Sequence, residues 1–174
     1  KKNDGTQYYL KTNVTFTAAS INSTAGNGGS ISPVGFVEYD VSSGSATPTY
    51  TVTPDSGKHI ISVKLDGVAL TITDASNAES YVFGTTSGVP ALASGQNKSL
   101  EATFGNKLTL TTAGSGGSIS TSSPQYVAIG GSVTIAFSEE PVSITLNGIT
   151  QTVDGASFVA SGFTADSVLI ATFS

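Results

Sequence analysis

Few side chains in this 174-residue sequence could do chemistry: a single His, twelve Asp and Glu, seven Lys, and fifty Ser and Thr, with no Cys, Arg or Trp. His59 could ligate a metal or act as a general base, yet no Cys and no second His exists to build a site around it. Its place beside Ile60, directly after a turn, predicts a half-exposed strand residue. No Gly-x-Ser-x-Gly elbow presents a nucleophilic serine, and a lone His on a strand does not complete a triad. Paired carboxylates could cleave glycosides, with Glu139-Glu140 or Asp55 and Asp66 as candidates. Adjacent residues on a strand or turn point apart, however, and Asp66 has its own role in a hairpin. Asp74, Asn77 and Glu79 could offer oxygens to calcium, but without EF-hand spacing. The sequence assigns no catalytic residue, no cofactor and no metal site.

Composition excludes further classes. Without Arg, and with a formal net charge of −5, the chain lacks the clustered cations that hold phosphates, so nucleic acid is excluded as a partner. No run approaches the roughly 20 apolar residues of a membrane-spanning helix. Sugar-binding β modules stack aromatic platforms on the ring, and only the six tyrosines could do so here. Tyr8, Tyr50 and Tyr81 are better used as core or cross-strand residues, which leaves carbohydrate a poorly supported partner. A hydroxyl-rich chain without Cys or Met suits a secreted, extracellular setting.

The elements that would position any site are strands, since apolar residues alternate with period two and no run repeats at helical spacing. Tyr8 to Ala18 alternates cleanly. Ile21 to Gly29 reads as a loop, and His59 to Leu65 reads as a strand with Ile61, Val63 and Leu65 inward. Asp66-Gly67 and Asn147-Gly148 are signals for two-residue hairpins. Most of Thr49 to Phe104 returns as Ser132 to Phe173: Ser62 to Val68 matches Ser143 to Ile149, and Ala102-Thr103-Phe104 matches Ala171-Thr172-Phe173. Gly28-Gly29-Ser30-Ile31-Ser32 and Gly116-Gly117-Ser118-Ile119-Ser120 stand upstream of the two copies. The expected fold is therefore all-β, with two tandem small antiparallel sandwich- or barrel-like (Ig-like) modules at 11–105 and 106–174, behind an extension at 1–10.

Gly28 to Pro33, Tyr50 to Gly57, Ile61 to Val68, Tyr81 to Phe83 and Ala102 to Phe104 together resemble the divergent InlB B-repeat type of bacterial surface module. The resemblance implies a non-catalytic unit of a secreted or cell-wall protein. Its matching words are turn and core residues, so it carries no site onto this chain.

The opening strand has a surplus. Tyr8 to Ala18 alternates for eleven residues where Lys107 to Thr112 needs six, a difference of roughly 16 Å. An overhanging strand of this kind adds to the edge of another chain, so Tyr8, Tyr9 and Leu10 are candidate subunit contacts. Val89, Pro90 and Leu92, an apolar run in a polar loop, are further candidates. The function expected is a subunit of a self-assembling filament on the bacterial surface, a homo-polymer held by N-terminal strand exchange. The alternative is a stalk or spacer fragment of an adhesin that binds carbohydrate or a host protein.

Overall fold

The structure, a computed structural model, describes residues 18–84 and 88–174, and these form strands and turns without a helix. The strands are β1 (Ala18–Ala25), β2 (Gly29–Ser32), β3 (Gly35–Asp40), β4 (Thr49–Pro54), β5 (His59–Leu65), β6 (Val68–Ala69) and β7 (Glu79–Val82), then β8 (Asn97–Ala113), β9 (Gln125–Ala128), β10 (Ser132–Ala136), β11 (Ser143–Leu146), β12 (Ile149–Gln151), β13 (Ser157–Ser161) and β14 (Ser167–Thr172). Nine of them make one sheet whose path runs β12-β11-β14-β8-β1-β3, with β5, β6 and β9 attached beside it. Two smaller sheets, β2-β4-β7 and β10-β13, complete a sandwich-like arrangement.

Strand β8 organises everything else. Its 17 residues span about 56 Å at the usual rise, and each end serves a different core. Asn97 to Gly105 pairs with β1 on one side and β5 on the other, while Gly105 to Ala113 pairs with β14 and β9. Leu100, Ala102 and Phe104 enter one hydrophobic cluster together with Ile21, Tyr50, Val63 and Phe83. Leu108 and Leu110 enter a second with Ile135, Ile144, Leu169 and Phe173. The halves correspond strand for strand in the large sheet, while β2 is answered in the second half only by an isolated bridge from Ile119 to Phe137. The opening strand, β1 or the second part of β8, pairs antiparallel with β3 or β9 and parallel with the closing strand, the first part of β8 or β14. The pairs β5/β6 and β11/β12, both antiparallel, flank the closing strands.

Four expectations need correction. The large sheet is mixed, because opening and closing strands lie side by side in the same direction after the chain has crossed to the small sheet and returned. Ile21 to Gly29 is not a loop, since β1 runs to Ala25 with Ile21 fully buried. Its hydroxyls are satisfied there: Ser20 donates to Asn97 Oδ1 at 2.6 Å and Ser23 to the carbonyl of Pro33 at 2.6 Å. Ile61 does not share a face with Val63, because the register of β5 shifts between Ile60 and Ser62 and Ile60 takes the core position. Val89 and Leu92 are not surface contacts. They fill the first core through bridges from Val89 to Phe83 and from Leu92 to Ala46, and only Pro90 faces outward. Tyr8, Tyr9 and Leu10 lie outside the described residues.

The two hairpins form as expected. Asp66 and Asn147 take positive φ of 50° and 52°, each followed by a Gly at 80° or 78°, the backbone of a two-residue turn of matching twist. Each polar side chain also reaches the adjacent closing strand: Asp66 Oδ1 accepts from the N–H of Ser99 at 2.8 Å, and Asn147 Oδ1 from that of Val168 at 2.9 Å. The bond from Lys98, then that from Ser99, hold the Asp66 carboxyl below its usual range. A depressed carboxylate contributes stability above its unfolded pKa and loses it as pH falls through the folded value. The Ser99 amide is therefore expected to shift and lose exchange protection below about pH 4. The Val168 amide, held by an uncharged Asn, stays unchanged in the same NMR titration.

Candidate functional site: the joint between the halves

The polar groups converge at the midpoint of β8. Turn 54–58 delivers Lys58 and His59 to the start of β5, and the bulge that follows turns Ile61 toward Val127 of β9. Gly105 is the point of closest approach. A Cβ there would overlap the carbonyl oxygen of Val127 and the Cδ1 of Ile61, so only Gly lets β9 and β5 meet across β8.

Asn106, fully buried, ties three segments together. Its Oδ1 accepts from Lys58 Nζ at 2.7 Å and its Nδ2 donates to the carbonyl of Phe163 at 3.0 Å. Lys58 Nζ also donates to the carbonyl of Thr164 at 2.8 Å. Beside this pair, His59 is 7% exposed and its ring lies 5.3 Å from that of Tyr126. Its Nε2 sits 2.9 Å from Asp166 Oδ2, and the N–H of Lys107 donates to Asp166 Oδ1 at 2.8 Å. Burial pushes the Asp166 carboxyl up. The bonds from Lys107 and His59, with the charge of Lys107, outweigh that and hold it below the usual carboxylate range.

The half-exposed strand position expected for His59 is thus corrected: it is buried against the second half. The third partner completes a serine–histidine–aspartate array, since His59 Nδ1 lies 3.0 Å from Ser76 Oγ. With Nε2 donating to Asp166, Nδ1 is free to accept the Ser76 proton. What nucleophilic catalysis would need next is a pair of N–H groups to hold an oxyanion. Two beside it in the chain are engaged: the N–H of Ser76 itself donates to Asp74 Oδ1 at 3.0 Å, and that of Asn77 to the carbonyl of Asp74 at 3.1 Å.

The other candidates do not converge. Glu139 and Glu140 are exposed at a turn, and Asp55 sits in the 54–58 turn, away from the Asp66 hairpin. Asp74 Oδ2 accepts from the Asn77 side chain, and Glu79 Oε1 accepts from Thr73 and from the Asp74 N–H, so the oxygens proposed for calcium bind their own loop. Among the described tyrosines, Tyr50 and Tyr81 are buried, Tyr39 bonds the Tyr50 hydroxyl at 2.7 Å, and Tyr126 packs on His59. Comparison with known proteins returns no match: no family model, no curated protein and no solved structure is significantly similar to the chain.

Replacing Asn106 by Ala strands the Lys58 ammonium and the Phe163 carbonyl near the joint. The expected cost is about 1–3 kcal/mol in urea unfolding, from two partners left incompletely satisfied.

Proposed function

We propose that this chain is a non-catalytic structural protein of the bacterial cell surface, two tandem Ig-like modules of the divergent InlB B-repeat type that act as a stiff spacer. The observation that carries the reading is β8, which closes the first half and opens the second without a linker residue. A rod must resist bending where its units meet. Here the meeting point is a paired strand, flanked on both sides by β5 and β9 and held by the Lys58, Asn106, His59 and Asp166 bonds. Sparse charge and abundant hydroxyls fit an extracellular surface. The engaged N–H groups around Ser76 favour a mechanical role for His59 over a hydrolytic one, and His59-dependent turnover of an activated ester would overturn that part.

Small-angle scattering tests the stiffness. The full chain is expected to fit a single extended conformer, and insertion of Gly-Ser-Gly-Ser between Gly105 and Asn106 is expected to require an ensemble of bends. A full chain that itself needs such an ensemble contradicts the spacer.

A second reading, filament assembly by strand addition, is favoured by one observation. The opening position of the first half is filled by Ala18–Ala25, the end of the alternating stretch that begins at Tyr8. Filaments seen by electron microscopy that vanish on removal of residues 1–10 are the expected result, and filaments that persist contradict it.

A further inference from the structure

We propose that Asn27 is a site of spontaneous deamidation, and that Asn147, the other Asn of this chain that precedes a Gly, is kept from the same reaction by the fold. The site lies at the joint between the halves but does not depend on the spacer role.

In an Asn-Gly pair the backbone nitrogen of the Gly can attack the side-chain carbonyl carbon of the Asn, because no Cβ stands in the way. The new C–N bond closes a cyclic imide. The bond from Cγ to Nδ2 breaks, and Nδ2 leaves as ammonia with the proton that the Gly nitrogen gives up. Water then opens the imide at either carbonyl, leaving Asp or its β-linked isomer, isoaspartate. The chain has two such pairs, Asn27-Gly28 and Asn147-Gly148. Both asparagines are exposed, so access to water does not separate them. Their hydrogen bonds do.

Asn147 is held at both ends of its amide: Oδ1 accepts from the N–H of Val168 at 2.9 Å, and Nδ2 donates to Ser167 Oγ at 3.1 Å. Its Cγ is thus tied to β14 and reaches the Gly148 nitrogen only after both bonds break. Asn27 stands in the turn between β1 and β2, and among the described residues neither its side chain nor the Gly28 N–H has a hydrogen-bond partner. It borders an open recess of about 210 Å³ beside Phe104 and Ile129, room for several of the waters that open the imide. In the second half Ser115 takes this place, ahead of Gly116-Gly117 as Asn27 is ahead of Gly28-Gly29, so only the first turn carries the reactive amide.

The turn is pinned on either side of Asn27. The N–H of Gly26 donates to the carbonyl of Ala102 at 2.9 Å, and the carbonyl of Gly28 accepts from the N–H of Asp55 at 2.9 Å. Gly28 also packs so closely on Ile129, just beyond β9, that a Cβ there would lie 2.8 Å from its Cδ1. Isoaspartate puts one more carbon into the backbone between those pins, and either product adds a carboxylate beside Phe104 and Ile129. The reaction therefore alters the place where the first half touches the second.

The test follows both sites in one sample. The full chain is incubated in mildly alkaline buffer made with heavy-oxygen water, and samples taken over days are digested and weighed by mass spectrometry. The peptide holding Asn27 is expected to turn into Asp and isoaspartate forms that carry the heavy oxygen. Its rate is expected to exceed that of the Asn147 peptide by roughly tenfold or more, since two hydrogen bonds must break at Asn147 alone. In urea, where those bonds are gone, the two rates are expected to converge. An Asn27 that stays unreacted, equal rates in the folded chain, or a difference that survives urea overturns the proposal.

Discussion

Gly105→Val is expected to produce the largest single loss of stability at the joint. Gly105 pairs with His59 on one side and Ala128 on the other, and no space exists for a side chain on its inner face. The obstructing atoms are the backbone carbonyl of Val127 and the end of Ile61. A flexible side chain could swing aside, but a carbonyl in a paired strand moves only with its strand. Strand β9 must therefore leave β8, taking the buried Val127 out of the second core. Overpacking costs about 1–3 kcal/mol and exposing a Val adds about 1.5 or more, so roughly 3 kcal/mol or more is lost. For a single cooperative unit of this chain's size the melting temperature is expected to fall by on the order of 10 °C, as read by circular dichroism. A melting temperature within about 2 °C of the parent, a loss below about 0.5 kcal/mol, would show that β9 does not approach β8 as described.

Leu108→Ala is expected to cost about 2–5 kcal/mol, by removing a fully buried side chain and leaving a cavity. Leu108 is the counterpart of Ile21, and both are the first large apolar residue of an opening strand. Its position gives the substitution a wider reach than an ordinary core change. It lies four residues beyond Phe104 on the same strand, so loosening the second core pulls on the residues that close the first. Urea unfolding is expected to show a lower midpoint for both cores, where a change confined to an independent unit would move only one.

Much of this was legible in the residues. Asp66-Gly67 and Asn147-Gly148 demand positive φ at two successive positions, and few dipeptides tolerate that, so the hairpins followed from local chemistry alone. The internal echo followed too, because each copied word is a turn or a core residue fixed by the same packing. The shared strand was harder to see. Leu100, Ala102, Phe104, Leu108 and Leu110 keep one unbroken phase, and the buried Asn106 between them is the polar member that disguised the continuity. The meeting of His59 with Asp166 had no sequence signal. They are 107 positions apart, and their contact depends on the β5 bulge and on how the halves seat against each other. Val89 and Leu92 misled for a related reason: an apolar run inside a polar loop looks the same whether it faces a neighbour or its own core.

The central claim is that β8 makes the two halves one mechanical unit. Because the chain has no Trp, single Trp substitutions at the partly buried Leu70 and Phe158 report on the first and second cores separately. Urea unfolding of the full chain followed through each reporter is expected to give superimposable transitions, which separate once Gly-Ser-Gly-Ser is inserted after Gly105. Two resolved transitions without the insertion, one core unfolded while the other keeps its native signal, would contradict the account.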